Sequence, residues 1–409
     1  MKLGVFVDGF TLASAESVCG DDDSAVADGL ASLIDKSLVV SDGLDGEPRF
    51  RLLAVIASYA RERLNEAGAS PDLRRRHLAW YRELAETAQP YLCGAGQREW
   101  AARFDSERAD LRAAVETALD AGGDDAVIEL TWDVIVFYFI RDAVYEPEGW
   151  LQRVADAGRQ LDDVRAAKLR SLLTLMRIHR GEYEGAREPL ASALAVFEAR
   201  SMTFESAVTL KELAWVRYLA DDDAAAAVET LERASQLFTS IDHDWGVALT
   251  ELQLGSVLVA EAELDRAARR VDRSLTYSTG IDNEPLMAQA HQQLGMIRVL
   301  EHDADGAVDQ IAEATSLVLA GRHETEATFC LDVLAAVALM RGDLPMAATV
   351  SAAAIDTRDK LGVAPWPSLR AFVARTTAQT RDVVEFQPYA EEHDVFALLR
   401  YAVDHLSLG

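Results

Sequence analysis

A repeat of about 40 residues between Arg165 and Thr357 is the feature that most constrains the fold of this chain. An alanine recurs five times on this period. In each repeat a leucine or alanine lies 13 positions before it, and a small residue lies seven positions after it. The marker alanines are Ala186, Ala227, Ala267, Ala307 and Ala347. Because helices cross closely only where no bulky side chain intervenes, this spacing predicts stacked helical hairpins. Each hairpin would bury its apolar face on its neighbours, as in a solenoid.

A short turn recurs between the two helices of each hairpin. Its five copies are Gly181-Glu-Tyr, Asp222-Asp-Ala, Ala262-Glu-Leu, His302-Asp-Ala and Gly342-Asp-Leu. With the small residues, this pattern resembles the tetratricopeptide repeat, whose usual unit has about 34 residues. The extra length here surrounds the loop that joins one repeat to the next. The predicted fold class is all-α, with a tetratricopeptide-like right-handed α-solenoid.

Composition limits the classes of protein that this chain can be. A length of 409 residues exceeds a single core and suits several domains or an array. No apolar run approaches 18 residues and the N-terminus lacks a signal-peptide pattern, so neither a membrane span nor secretion is expected. Three distant cysteines, Cys19, Cys93 and Cys330, predict reduced thiols in a cytoplasmic protein.

The first 69 residues have the pattern of a winged-helix domain. Short helices are predicted at Leu12–Val18 and Ala25–Lys36, followed by extended runs at Leu38–Val40 and Arg49–Leu53. A turn rich in Gly and Asp separates the two runs, which predicts a hairpin. The helix predicted at Ala54–Glu66 completes the arrangement.

Three further regions follow this domain. Residues 70–125 are predicted to be a helical linker. Residues 126–357 would hold one irregular hairpin and the five regular repeats, and residues 358–409 a helical cap. Val134–Ile140 has strand propensity, but its neighbours favour a buried helix in which Trp132, Tyr138 and Trp150 pack the irregular hairpin. An aromatic cofactor site is the alternative interpretation of those side chains.

Several segments together resemble the actinobacterial regulators of the signal-transduction ATPase (STAND) class, downstream of their nucleotide-binding domain. The segments are Phe6–Gly20, Leu30–Val39, Tyr59–Leu64, Leu73–Tyr81, Glu107–Ala114 and Gly362-Val-Ala-Pro-Trp-Pro. The resemblance covers nearly the whole chain. It implies a winged helix, a helical linker, a tetratricopeptide-like sensor array and a C-terminal cap.

Two departures from that family affect the functional prediction. The chain has no G-x-x-x-x-G-K-[ST] motif and no Gly-Lys dipeptide, so it lacks the loop that would cradle phosphates. The helix that closes the winged helix carries Ala54, Val55 and Ala57 where the family has polar residues. We expect this surface to be adapted to the absence of a nucleotide-binding neighbour. The sequence also ends without a C-terminal helix-turn-helix.

Direct DNA binding is disfavoured. The net charge of −28 repels phosphates, and the only basic run, Arg74–His77, is expected to be a solvated helix face. The helix that would enter a groove carries Asp28 and Asp35 against Lys36 alone. Base readout needs Arg, Lys, Asn or Gln on that helix.

The sequence carries no motif that predicts catalysis. It contains no C-x-x-C, H-E-x-x-H or G-x-S-x-G, and the Asp303-Ala-Asp305-Gly306 segment fails calcium-loop spacing. No two histidines lie three or four positions apart. We therefore predict that the chain is not an enzyme and holds neither a metal nor a cofactor.

A ligand groove remains as the candidate site. The first helix of each tetratricopeptide hairpin lines the concave side, and counting back from each marker alanine gives the lining row. The predicted groove residues are Lys168, Ser171, Thr209, Glu212, Gln289, Gln292, Met296 and Asp332. This composition suits a peptide or a helix better than a phosphate. The alternative is that much of the row is ordinary core of the superhelix.

Three functions are compatible with these features. The favoured one is a non-catalytic interaction or sensor module of a STAND-type transcriptional regulator that binds a peptide, a protein or a small effector. The second is a winged-helix DNA-binding regulator with the array as its effector domain, and the third is an enzyme of unrecognised type. The predicted partners are a protein or peptide in the groove, a separate ATPase or regulator, and a second copy of the chain; DNA and membranes are disfavoured.

Overall fold

A computed structural model describes residues 1–20, 23–41, 48–68, 70–94, 96–141, 143–363, 367–380 and 394–407. The chain divides into two compact units, residues 1–176 and 177–409. The boundary falls inside one helix of the first regular repeat. The domain limits expected from the sequence, at residues 69, 125 and 357, stay predictions.

The first unit begins with a small three-stranded sheet and the helices around it. A 3-10 helix, Lys2–Val5, precedes β1 (Phe10–Thr11), α1 (Leu12–Cys19) and α2 (Asp23–Asp35). Then come β2 (Val39–Ser41), β3 (Arg49–Leu52) and α3 (Ala54–Glu66). The antiparallel strands have the order β1-β3-β2, with Phe10 opposite Phe50 and Val39 opposite Leu52. The predicted helices and hairpin are confirmed, whereas the two-residue strand β1 was not predicted.

Apolar side chains hold this domain together. Phe6, Phe10, Val18 and Leu30 form its core, and Leu73 of the following helix joins them. Thr11 begins α1 with a capping box, in which its hydroxyl accepts from the Ser14 amide at 3.1 Å. The predicted turn at residues 42–47 lies outside the described residues.

The linker and the irregular hairpin follow as long helices. They are α4 (Ser70–Leu92), α5 (Gln97–Asp120), α6 (Asp124–Ile140) and α7 (Tyr145–Ala157). The next helix, α8 (Asp163–His179), is the first helix of the first regular repeat. The run Val134–Ile140 is helical, as its neighbours indicated. Tyr138 packs edge-on against Trp150 with ring centroids 5.7 Å apart.

The second unit continues the array. Its helices are α9 (Arg187–Ala199), α10 (Thr203–Leu219), α11 (Ala224–Ser240), α12 (Asp244–Ala260), α13 (Leu264–Gly280), α14 (Glu284–Leu300), α15 (Ala304–Gly321), α16 (Glu324–Met340) and α17 (Leu344–Leu361). Each helix packs on the next one along the chain, and α12, α14 and α16 also contact one another in sequence. This is the predicted solenoid, and the five marker alanines are fully buried in it.

Two more helices lie at the C-terminal end of the described chain, α18 (Pro367–Thr380) and α19 (Val395–Ser407). α19 packs on α15, α16 and α17. α18 contacts α12, α16 and α17, so it touches repeats that are not adjacent to each other.

A left-handed residue recurs at the same place in each turn within the hairpins. Gly181, Asp222, Ala262, His302 and Gly342 occupy the same position of successive repeats, and all have φ between 54° and 82°. The residue after it usually begins the next helix: Asp303, for example, accepts from the Gly306 amide at 2.9 Å. The recurring turn in the sequence is therefore a helix C-terminus in the left-handed conformation joined to an N-cap.

Ala262→Gly should stabilise the array by about 0.5–1 kcal/mol. Alanine at φ +60° is strained in a left-handed conformation that glycine adopts freely. Relief of this strain exceeds the cost of ordering glycine, whose unfolded state has the greater conformational entropy. Urea unfolding of purified variants measures the change. The reverse substitution at the equivalent position, Gly342→Ala, should lower stability by about 1 kcal/mol. If both substitutions acted in the same direction, backbone conformation would not control these turns.

Candidate functional site

Most of the predicted groove residues are buried. Lys168 and Ser171 are buried in the first unit; in the second, Thr209, Glu212, Gln292, Met296 and Asp332 are buried and Gln289 is half-buried. Such burial is what the alternative interpretation, ordinary core, leads one to expect. The assignment of these residues as ligand contacts stays a prediction.

Gln292, Thr209 and Glu212 of this row in the second unit have partners within the chain. Gln292 Nε2 donates to the Glu326 carbonyl at 2.9 Å and to Cys330 Sγ at 3.3 Å. Thr209 donates to the carbonyl of Glu205 in its own helix at 2.8 Å. Glu212 forms an ion pair with Lys211. Of these contacts, those of Gln292 join α14 to α16, whereas those of Thr209 and Glu212 lie within α10.

Asp332 belongs to a fully buried ion pair. Its Oδ2 lies 2.5 Å from Arg358 Nη1 and its Oδ1 lies 3.2 Å from Nη2, which makes the contact bidentate between α16 and α17. Burial raises the pKa of this carboxyl to about 6, although the guanidinium acts in the opposite direction. The pair therefore fastens the two helices of the last hairpin, and Asp332 is not available to a ligand in this conformation.

Lys168 lies in a separate cluster in the first unit. Its Nζ is 2.6 Å from Glu129 Oε2 and 5.2 Å from the centre of the Trp132 ring. Asp133 is half-buried next to them. Its pKa is raised to about 6 because burial penalises the charged form and Glu129 repels it, while Lys168 partly compensates.

Asp133→Asn should reduce the pH dependence of stability between about pH 4 and 6. Because the folded chain holds this proton more tightly than the unfolded chain, whose carboxyl has an ordinary pKa of about 3.8, ionisation on raising the pH costs stability. The melting temperature of the variant relative to wild type should therefore rise across that window. Thermal melts at several pH values measure it, with exposed Asp156→Asn as the control. Parallel curves for wild type and Asp133→Asn would contradict the assignment.

The winged-helix surface is mixed in charge and carries exposed apolar residues. On α2, Asp28 and Asp35 are exposed, and so is Lys36 directly after this helix, whose Nζ donates to Ser32 Oγ at 3.0 Å. On α3, Val55 is 80% exposed and Tyr59, one turn later, is 56% exposed. Apolar side chains that are this exposed and adjacent are typical of contact surfaces.

A buried polar junction ties the winged helix to the linker. Asp110 of α5 accepts from the backbone amides of Val7 at 2.7 Å and Asp8 at 3.1 Å. The same carboxylate lies 3.0 Å from His77 Nε2 of α4. One turn earlier, Glu107 accepts from the Tyr81 hydroxyl at 2.5 Å and pairs with Arg49 of β3. These acids come from the Glu107–Ala114 segment, so that motif has a structural role.

Neither a metal site nor a membrane span is visible in the described ranges. No group of three His, Cys, Asp or Glu side chains there could hold a metal ion. Among the same residues, no helix is long and apolar enough to cross a bilayer. The three cysteines are buried and form no disulfide, and burial raises the pKa of Cys93 and Cys330 to about 12, which makes both thiols poor nucleophiles.

Comparison with known domains agrees with the geometry of the N-terminal region. A family model described as a winged helix-turn-helix domain matches residues 1–65. The first 65 residues are a winged helix-turn-helix domain. Its sheet order, its paired helices and its closing helix α3 are those described above.

Relatives at the sequence level carry regulatory names. Over 252 residues the chain is 28% identical to proteins provisionally named HTH-type transcriptional regulators in Mycobacterium tuberculosis and Mycobacterium bovis. The alignment covers 60% of this chain and 28% of each relative, so the chain spans well under half of their length.

A solved structure shares the fold. It is a STAND protein with a tetratricopeptide repeat sensor from Pyrococcus horikoshii, 13% identical, with a TM-score of 0.55. The match covers 99% of this chain and 61% of the archaeal one. At this identity the likeness shows the fold alone, and it agrees with the tetratricopeptide-like α-solenoid described above.

Sequence reasoning missed the residues that cover part of the array. Phe372 and Val373 of α18 are buried in the same apolar core as α12, α14 and α16. The signal was present in the sequence: Phe372, Thr376 and Thr380 recur every fourth residue, which marks one face of a helix.

Proposed function

We propose that this chain is a non-catalytic interaction and sensor module of a STAND-type transcriptional regulator, and that its array binds a peptide, a protein or a small effector. The main support for this proposal is that one chain combines a winged helix-turn-helix domain with a tetratricopeptide-like solenoid. The names of the mycobacterial relatives support a regulatory role. Arrays of this kind offer extended surfaces to partners, which supports the array as the recognition element.

Because most of the predicted groove residues are buried, the experiment substitutes positions of the groove that solvent can reach. Leu249 and Gln289 are half-buried at equivalent positions of successive repeats. The full chain would be used to capture partners from its host, in parallel with Leu249→Arg and Gln289→Arg variants. Exposed Arg269→Ser serves as the control. We expect a partner that the control retains and both groove variants lose. A partner retained equally by all four proteins would contradict recognition by this face.

Direct DNA binding is the second candidate, because the N-terminal domain matches a winged helix-turn-helix model. A mobility-shift assay at low salt separates the two functions. The exposed Asp28 and Asp35 on α2 lead us to expect no saturable, sequence-dependent retention of DNA. Sequence-dependent retention that Lys36→Glu abolishes would reverse the order of the two candidates.

A further inference from the structure

The helix α18 lies across the inner helices of the array rather than beyond its end. It contacts α12, α16 and α17. α12 and α16 are the first helices of their hairpins, and α14 lies between them in contact with both. A helix that touches both α12 and α16 must therefore cross the face that these first helices line. That face is the concave side on which a tetratricopeptide array binds its ligands.

The dimensions of α18 agree with this position. Its 14 residues span about 21 Å at 1.5 Å per residue. Two spacings between packed helices amount to about 16–20 Å, which is the distance from α12 to α16 across α14.

α18 presents an apolar stripe to the array and a basic surface away from it. Phe372, Val373, Thr376 and Thr380 are buried, whereas Ala374 and Arg375 are exposed. Thr376 donates to the Phe372 carbonyl at 3.1 Å and Thr380 to the Thr376 carbonyl at 3.2 Å. Both buried hydroxyls are satisfied within α18, so neither needs a specific polar group on the array. The helix is therefore held mainly by the burial of its apolar side chains.

We propose that α18 is an internal occupant of the groove, and that the natural partner is a basic amphipathic helix of another protein that displaces it. This inference rests on the proposed function, in which the array recognises a partner. The displacing helix would share the chemistry of α18: adjacent large apolar residues, small residues one and two turns later, arginines on the outer face and no acidic residue. A basic helix suits a chain whose net charge is −28.

Tethering determines how strongly α18 excludes a competitor. A helix joined to its site by a short connection acts at an effective concentration of about 1 mM. The apparent affinity of any competing helix falls by the fraction of molecules in which the groove is open. Opening the groove should therefore increase the apparent affinity for a helix supplied in trans by at least about tenfold.

The test uses the α18 sequence itself as the probe. A fluorescent peptide of residues 367–380, stapled through the exposed positions 374 and 378, would be titrated against the full chain. Stapling fixes the helix, which is marginal in isolation at this length. Wild type should bind this peptide weakly. The Phe372→Asp variant, in which the internal helix cannot seat its stripe, should bind it at least about tenfold more tightly. Ala374→Asp, on the exposed face of the same helix, should behave as wild type does.

Further measurements control for unfolding of the variants and for nonspecific binding of the peptide. Circular dichroism confirms that the array of each variant remains folded; if Phe372→Asp unfolds it, Thr376→Arg replaces that variant. A stapled peptide carrying Phe372→Asp should bind none of the proteins. Absence of peptide binding to a folded, opened variant would overturn the inference, as would equal binding by wild type and Phe372→Asp. Neither outcome decides whether the array has a host partner, because the capture experiment reports on that separately.

Discussion

Gly295→Leu should destabilise the array by about 1–3 kcal/mol or more, because the site has no room for a side chain. Even a Cβ at Gly295 would lie 2.9 Å from Cδ1 of Ile311 and 3.5 Å from the Ala307 carbonyl oxygen. Ile311 is fully buried, so it cannot swing into solvent to make space. The strain would reach neighbouring repeats, since each hairpin is stable only against the next.

Urea unfolding followed by circular dichroism measures this loss, with Arg269→Leu on an exposed face as the matched control. The control should change stability by no more than about 0.5 kcal/mol. Arg273 of the same helix would be an unsuitable control, because it is only half-exposed and its Nη1 lies 2.9 Å from the fully buried Glu251. An unchanged midpoint for Gly295→Leu would mean that the two helices do not cross at this residue.

Asp110→Ala should cost the first unit about 3 kcal/mol or more. The substitution removes one carboxylate that accepts from two backbone amides and lies against a buried histidine. A hydrogen bond to a charged group is worth about 1.5–3 kcal/mol, and buried donors left unpaired also lose their solvation. We expect residues 1–20 to lose protection against hydrogen exchange before the rest of the unit does.

Asp105→Ala is the matched control for this prediction. Asp105 lies in the same helix, α5, and forms a partly exposed ion pair with Arg141 at 2.6 Å. Its loss should cost no more than about 1 kcal/mol, because solvent screens such pairs. Similar losses for the two variants, or unchanged exchange at residues 1–20 in Asp110→Ala, would contradict the role assigned to the buried junction.

Periodic features of the sequence predicted the array well. The marker alanines and the turn residues repeat because every hairpin has the same helix crossing and the same turn. A residue assigned in one repeat therefore predicts the equivalent residue in the next. Gly255 and Gly295, 40 residues apart, both sit where a Cβ would collide with a branched side chain of the following helix. The winged helix was recognisable for a similar reason, since its helices and hairpin lie next to one another in the sequence.

Contacts between distant segments were not predictable in the same way. The role of Asp110 depends on the amides of Val7 and Asp8, which lie more than a hundred residues away. Because every residue except proline has a backbone amide, the sequence does not indicate which amides bind a side chain. The groove row was chosen by spacing alone, and spacing cannot tell a concave surface from an interface between adjacent helices. The packing of Phe372 and Val373 on the array was not predicted, because nothing in their own segment identifies the helices that they contact.

The left-handed turns have a consequence for how such a chain can change length. A block such as residues 263–302 begins directly after one left-handed turn residue and ends with the equivalent residue of the next repeat. Unequal recombination could therefore add or remove this block and still leave a left-handed residue followed by a helix N-cap. The helix α18 has no such freedom. Its 14 residues cover a fixed stretch, and an array lengthened by one block would leave part of the concave face bare. An array lengthened by one block would therefore need a longer α18 to be covered to the same extent.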